Sequence, residues 1–377
     1  MAEYKGAIVR NGLIAVVLSI VIVGSVFYGS QLQIASNQVQ GNNSSSSLSS
    51  IFSQTSTSSI SSSKTSAIST TSEPSNYYGR VTSTLSLEIH PSWISYNQKN
   101  NLLYTTGDNQ LVIINPSKNN TIVKVIPMGR FSGQPIVDGS NGLVYIPTNS
   151  SITVLNGTEV VATITNGYAG TTGWGTFDSE NQNIYIATSR MQPSYIAIQI
   201  LSTKSNTIIT NITSPTQLGL SIMQLLYDSQ NKLLYVVSYG SYGIAMINTT
   251  TNQFVGSVQI GSIEHGVANA IAWDPVNNLM YVPDWGDNQT VIFSAKNDSV
   301  ITSVSSSWPD NAIFDSQNGL VYIANSKSNS LQVLDGTKLV SSIPTQGASP
   351  WGTAFDSNNS DIYVTNVGSS SISVIST

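Results

Sequence analysis

From about residue 93 to the C-terminus, short segments that alternate apolar and polar side chains, or are apolar on both faces, follow one another with polar turns between them. Alternation at a period of two marks a strand, and a short doubly apolar run suits a strand covered on both sides. The pattern predicts strands near 93–96, 102–106, 110–114 and 121–126, then near 134–137, 142–147, 151–155 and 159–164. The same four-stroke rhythm continues to about residue 343, and a final set supplies only three strands, near 351–355, 361–366 and 370–376.

An eight-residue phrase sets the rhythm: an acidic or amide residue, two variable residues, Asn, two more, an aliphatic residue, then Tyr. It reads NQKNNLLY ending at Tyr104, DGSNGLVY at Tyr145, DSENQNIY at Tyr185, DSQNKLLY at Tyr235, DPVNNLMY at Tyr281, DSQNGLVY at Tyr322 and DSNNSDIY at Tyr363. The Tyr-to-Tyr spacing runs from 40 to 50 residues, and self-similarity near that period is the mark of a propeller or other repeat array. The leading Asp, Asn97 in the first copy, is placed to accept a backbone N–H two residues on. The Asn three positions later tolerates positive φ, so the expectation is a type I turn closed by a bulge at that Asn. Before each turn stands a large apolar residue: Tyr96, Val137, Phe177, Tyr227, Trp273, Phe314 or Phe355.

The fold class that follows is all-β, a seven-bladed β-propeller over residues 77–377. Its last blade lacks an outer strand, and the alternating segment at 80–89, RVTSTLSLEI, is the candidate that completes it. Such a strand would close the ring and remove the open end of the array.

Tyr363-Val364-Thr365-Asn366, with the near copies Tyr322-Ile323-Ala324-Asn325 and Tyr185-Ile186-Ala187-Thr188, resembles the YVTN family of β-propeller repeats over about residues 80–377. That resemblance implies the propeller fold and an archaeal or bacterial extracytoplasmic setting, often a surface layer. It brings no shared catalytic residue.

The first 76 residues differ in kind. Lys5 and Arg10 precede an uncharged apolar run at 12–28, which as a helix would span about 26 Å, enough for a bilayer core. Residues 1–30 therefore read as an N-terminal transmembrane helix with its start in the cytoplasm and the rest of the chain outside; a cleaved signal peptide is the alternative. Residues 31–76 are dominated by Ser and Thr and read as a disordered stalk. Asn-x-Ser/Thr sequons, candidate glycosylation sites, occur at Asn42, Asn43, Asn119, Asn149, Asn156, Asn211, Asn248, Asn288, Asn297 and Asn358.

Composition narrows the chemistry. Only 9% of residues are charged and the net charge is −5, which argues against nucleic-acid binding, since that needs a basic stripe. There is no Cys, hence no disulfide, thiolate metal site or thiol nucleophile. His90 and His265 are the two histidines, too few for a poly-His metal site. Glu264 beside His265, together with Asp310, is the weak candidate set for acid/base work at an axial mouth. No phosphate loop, nucleophile elbow or dinucleotide fingerprint occurs, and no cofactor is expected.

The entrances to the innermost strands carry Trp93, Trp174, Trp308 and Trp351, alongside Gln134, Gln224, Asn269, Asp310 and Asn311. Indole faces with amide partners suit an uncharged polar ligand such as a glycan; packing between blades is the competing role for the indoles. Two functions follow as expectations. The preferred one is a non-catalytic, membrane-anchored cell-surface module that binds a surface glycan or cell-surface protein, in adhesion or a surface layer. The alternative is an extracytoplasmic propeller enzyme of the lactonase, lyase or quinoprotein kind, with its site at the central channel.

Overall fold

The computed structural model describes residues 78–130, 132–165, 171–191, 194–213, 218–219, 221–239, 241, 243–261 and 267–377. The expected anchor and stalk, with Asn42 and Asn43, lie outside these residues. Among the described residues, no helix is long and apolar enough to cross a membrane.

Among the described residues, the strands assemble as seven four-stranded antiparallel sheets, with only two single-turn 3-10 segments, Pro116–Lys118 and Val367–Ser369. Blade one is Trp93–Asn97, Leu102–Gly107, Gln110–Asn115 and Thr121–Pro127. Blade two begins with the two-residue strand Ile136–Val137 and continues through Leu143–Pro147, Ser151–Asn156 and Glu159–Thr165. Blades three to six repeat the order from Thr171–Asp178 to Lys338–Pro344. Blade seven holds Pro350–Asp356, Asp361–Asn366 and Ser371–Ser376, and Arg80–Ser86 lies antiparallel against the last of these, with Arg80 opposite Ser376 and Ser86 opposite Ser371. The innermost strand of each blade packs against those of both neighbours, and blade seven packs against blade one. The architecture is an all-β seven-bladed propeller.

The doubly apolar second strands explain themselves once the blades are stacked. Successive side chains point to opposite faces of a sheet, so Leu103 packs towards blade seven, with Tyr363 and Val374, while Tyr104 packs towards blade two, with Val144, Ile146 and Leu155. Seven apolar clusters result, one in each seam between blades.

The seven repeat tyrosines have a further job. Their rings are fully buried, and each hydroxyl reaches into the neighbouring blade. Tyr104 donates to the Gly157 carbonyl at 2.9 Å, Tyr145 to Asn206 Oδ1 at 2.7 Å, Tyr185 to Asn252 Oδ1 at 3.1 Å and Tyr281 to the Gly336 carbonyl at 2.9 Å. Tyr363 donates to Asn120 Oδ1 at 2.8 Å, and Tyr235 makes a long contact of 3.5 Å to Asp298 Oδ1. All these acceptors lie in the turn between the third and fourth strands of the next blade. Blade seven has no such turn, because its fourth strand comes from the N-terminal side, and there Tyr322 donates to the Tyr78 carbonyl at 3.2 Å instead.

The turn of the repeated phrase differs from expectation in one respect. The leading residue does accept the N–H two positions on, as at Asp138 from Ser140 (2.9 Å), Asp228 from Gln230 (2.8 Å) and Asn97 from Lys99 (3.0 Å). Positive φ, however, falls one residue after the repeated Asn, at Asn101, Gly142, Gln182, Lys232, Asn278, Gly319 and Ser360. The loop holds four residues rather than three. Asp138 pairs with Leu143 across it, and the Gly142 N–H closes back to the Asp138 carbonyl at 2.8 Å, an i to i+4 bond. The repeated Asn is thereby released to use its side chain. Asn181, Asn231 and Asn277 each donate to the other oxygen of their own Asp, at 2.8, 2.8 and 2.7 Å.

Every outermost strand carries a register shift of one residue against the third strand. The extra residues are Val123, Val161, Ile209, Val255, Ile301, Val340 and, in blade seven, Thr82. These β-bulges twist the exposed edges out of line.

Candidate functional site

The innermost strands enclose an axial cavity of about 360 Å³ to which all seven blades contribute. Counting back three residues from the apolar residue before each turn gives one tier of the ring: Trp93, Gln134, Trp174, Gln224, Ala270, Asn311 and Gly352. Trp93, Gln134, Gln224, Asn311 and Gly352 of this tier line the cavity, and the tiers beyond add Ile94, Leu225, Ile271, Thr353, Trp273 and Phe314. Among the described residues, no lining residue is charged. An ion placed against these residues would find no charged side chain to offset its desolvation.

Three of the four singled-out indoles meet at this tier. Trp93 is buried, and its ring stands edge-on to Trp174, with centroids 5.5 Å apart, and to Trp351, at 6.1 Å. Edge-to-face contact at these distances satisfies the ring quadrupoles. Trp174 reaches Trp93 from blade three where the backbones of blades two and three come together, the Gln134 N–H donating to the Gly173 carbonyl at 2.7 Å. Trp308 is not part of this group. It is 40% exposed and packs at 5.1 Å on Trp285, which sequence reasoning did not single out.

The amides divide by how well they are satisfied. Gln224 Oε1 accepts the Ile271 N–H at 2.5 Å, and Asn311 Oδ1 accepts the Thr353 hydroxyl at 3.2 Å, so both are committed to bridging adjacent blades. Gln134 Oε1 is buried without a protein partner, and so are the indole N–H groups of Trp174 and Trp273. Trp273 was read from the sequence only as an apolar turn residue; the signal to its second role is that it alone places an indole N–H at that repeat position. A buried polar group left unpaired costs roughly 1–3 kcal/mol.

Asp310 is buried beside Asn269, whose Nδ2 donates to Asp310 Oδ1 at 3.2 Å. Burial outweighs the lowering by Ser326 and Asn269 and pushes its carboxyl up to about 7. Glu264 and His265 lie outside the described residues. His90, by contrast, sits at the surface with its Nδ1 2.7 Å from Asp108 Oδ2. Among the described residues, no three His, Cys, Asp or Glu side chains come together as metal ligands. Of the eight head sequons, none is buried: Asn119, Asn156, Asn288, Asn297 and Asn358 are exposed, and Asn149, Asn211 and Asn248 are half-buried.

No known protein-family model matches the chain, and no curated protein matches it significantly.

Proposed function

We propose that the propeller is a non-catalytic binding head whose axial cavity takes a neutral polar ring, such as one sugar unit of a surface glycan. The observation that carries this reading is the uncharged cavity wall, whose lining includes Gln134 and Trp273, two residues with a buried amide oxygen and a buried indole N–H that have no protein partner. A sugar hydroxyl both donates and accepts, so one ring could serve the acceptor and the donors, while its C–H faces meet the apolar wall. The enzyme alternative needs an acid/base pair, and among the described residues it is an amide, Asn269, that stands beside Asp310.

As part of the same proposal, the chain is a YVTN-type repeat protein, anchored by residues 12–28, with a glycosylated head displayed outside the cell. Accessible sequons and the Ser/Thr-rich segment ahead of the head support that display.

The test is a neutral-glycan array followed by titration of intrinsic tryptophan fluorescence. Gln134→Met keeps the side-chain volume and removes the unpaired acceptor, so it should weaken binding by about tenfold while the free head melts no lower. A wild type that binds no neutral oligosaccharide, or a Gln134→Met variant that binds as well as wild type, would remove the cavity from the account.

A further inference from the structure

The ring has a second aromatic feature that the repeat does not explain. Within a blade the second strand runs antiparallel to the first, so second strands finish at the end of the ring where first strands begin. Trp285 follows the second strand of blade five, Leu279–Asp284, and Lys327 follows that of blade six, Val321–Asn325. Trp308 immediately precedes the first strand of blade six, Pro309–Phe314. All three residues therefore stand at the entrance end, at the seam between blades five and six.

Trp308 has a φ of +52°. For a bulky side chain that backbone is a true outlier, and it persists only where the surroundings enforce it. They do so here through three hydrogen bonds. The Trp308 carbonyl accepts from the Ser326 N–H at 3.0 Å and from the Ser326 hydroxyl at 3.1 Å, and the Ser307 N–H donates to Asn325 Oδ1 at 2.9 Å. The same backbone recurs at the equivalent position of blade seven, where Ser349 precedes Pro350 with a φ of +52° and its carbonyl accepts the Val367 N–H at 3.1 Å, so the conformation belongs to the loop. What distinguishes blade six is the side chain that this loop carries, an indole residue left 40% exposed. The Trp285 ring lies 5.1 Å away, tilted by 48°, and makes a corner of two indoles. Lys327 Nζ stands 5.2 Å from the Trp308 ring centre, and no carboxylate among the described residues lies within ion-pair distance of it: the three ion pairs found there use His90, Lys124 and Lys232.

We propose that Trp285, Trp308 and Lys327 form a binding site for a carboxylated sugar unit, a uronate residue of an acidic polysaccharide. The C–H face of a pyranose stacks on an indole, and a carboxylate on the same ring reaches the ammonium beside it. One cation matches one negative charge. A nucleotide or other phosphate ligand is better met by the planar fork of Arg or by several donors, and this corner has neither. No residue is shared with the axial cavity, so this site stands whether or not the cavity binds a ligand.

The experiment titrates the full chain with oligogalacturonate, with a neutral oligosaccharide of equal length and with AMP, at low and high salt, following tryptophan fluorescence. Two variants separate binding from packing. Lys327→Met keeps the stem and removes the charge; it should cost up to about fivefold in uronate affinity, the range of an exposed ion pair, and abolish the salt dependence. Trp308→Gly removes the indole at a backbone conformation that Gly adopts freely; it should cost more than about fivefold in affinity with the melting temperature unchanged. The proposal is overturned if AMP or the neutral oligosaccharide binds as tightly as the uronate, if Lys327→Met binds like wild type, or if Trp308→Gly lowers the melting temperature, which would make the indole a packing residue.

Discussion

The seven phenols that bridge the blades make a graded series within one molecule. In Tyr281→Phe the ring stays in place and only the hydroxyl is lost, leaving the Gly336 carbonyl without the donor that now sits 2.9 Å away. A neutral intramolecular hydrogen bond contributes about 0.5–1.5 kcal/mol net, and an acceptor left partly buried adds to that, so the expected cost is about 1–2 kcal/mol. Tyr145→Phe, whose bond to Asn206 is 2.7 Å, should cost as much. Tyr235→Phe should cost under about 0.5 kcal/mol, because its 3.5 Å contact to Asp298 is at the limit of a hydrogen bond. Tyr145 and Tyr281 lie in different seams with no shared partner, so the double variant should lose about the sum of the two single losses, roughly 2–4 kcal/mol. Urea unfolding followed by tryptophan fluorescence reads these losses as shifts of the midpoint at constant slope. If Tyr235→Phe is as costly as Tyr281→Phe, or if the double variant unfolds with the wild type, the hydroxyls do not tie blade to blade.

A chain beginning at Pro91 should be less stable by several kcal/mol than one beginning at Asn76, since it loses Arg80–Ser86 from the edge of blade seven and the buried Leu87 and Ile89, each worth about 1.5–3 kcal/mol; equal melting temperatures would show that this strand does not hold the ring closed. Burial raises Asp310 to about 7, and burial with the nearby Asp356 charge raises Asp361 to about 6. Between about pH 4 and 7 the folded head therefore binds more protons than the unfolded chain, and stability should fall as pH rises through that window. Asp310→Asn should raise stability at pH 8 and flatten that slope in pH-dependent melts; an unchanged slope counts against the assignment. An acid-unfolding midpoint above about pH 4 would contradict the acid tolerance that follows from the same carboxylates.

The blade count and strand order were legible because each blade repeats one local instruction: an apolar stop, an Asp that caps the turn, and a doubly apolar strand after it. What the phrase could not convey was which backbone atom its side chains would meet. Asn141 looks like the left-handed residue by its chemistry, yet Gly142 takes that role, because loop length is decided by which pair flanks it, Asp138 with Leu143. Tyr104 reads as a core ring, and its hydroxyl partner, the Gly157 carbonyl, lies 53 residues downstream in another blade. Trp93, Trp174 and Trp351 were found because they recur near one repeat position. Trp285 escaped because it occurs once, after a second strand, and its partner Trp308 was grouped by sequence position with indoles it does not touch.

The seven bulges have a consequence beyond the single molecule. An array of blades exposes seven sheet edges to whatever lies beside it, and propellers at high concentration would have many chances to join strand to strand. Here the extra residue in each outer strand breaks the run of backbone donors and acceptors, and Val123, Val161, Ile209, Val255 and Ile301 stand exposed at the break. A bulged edge is a poor template for another strand, so contacts between neighbouring propellers should run through side chains. Contacts of that kind weaken on cooling, whereas fibrils of paired backbone do not dissolve so readily. Concentrated heads should accordingly remain free of thioflavin-positive fibres, and any lateral clustering seen by light scattering at room temperature should reverse in the cold.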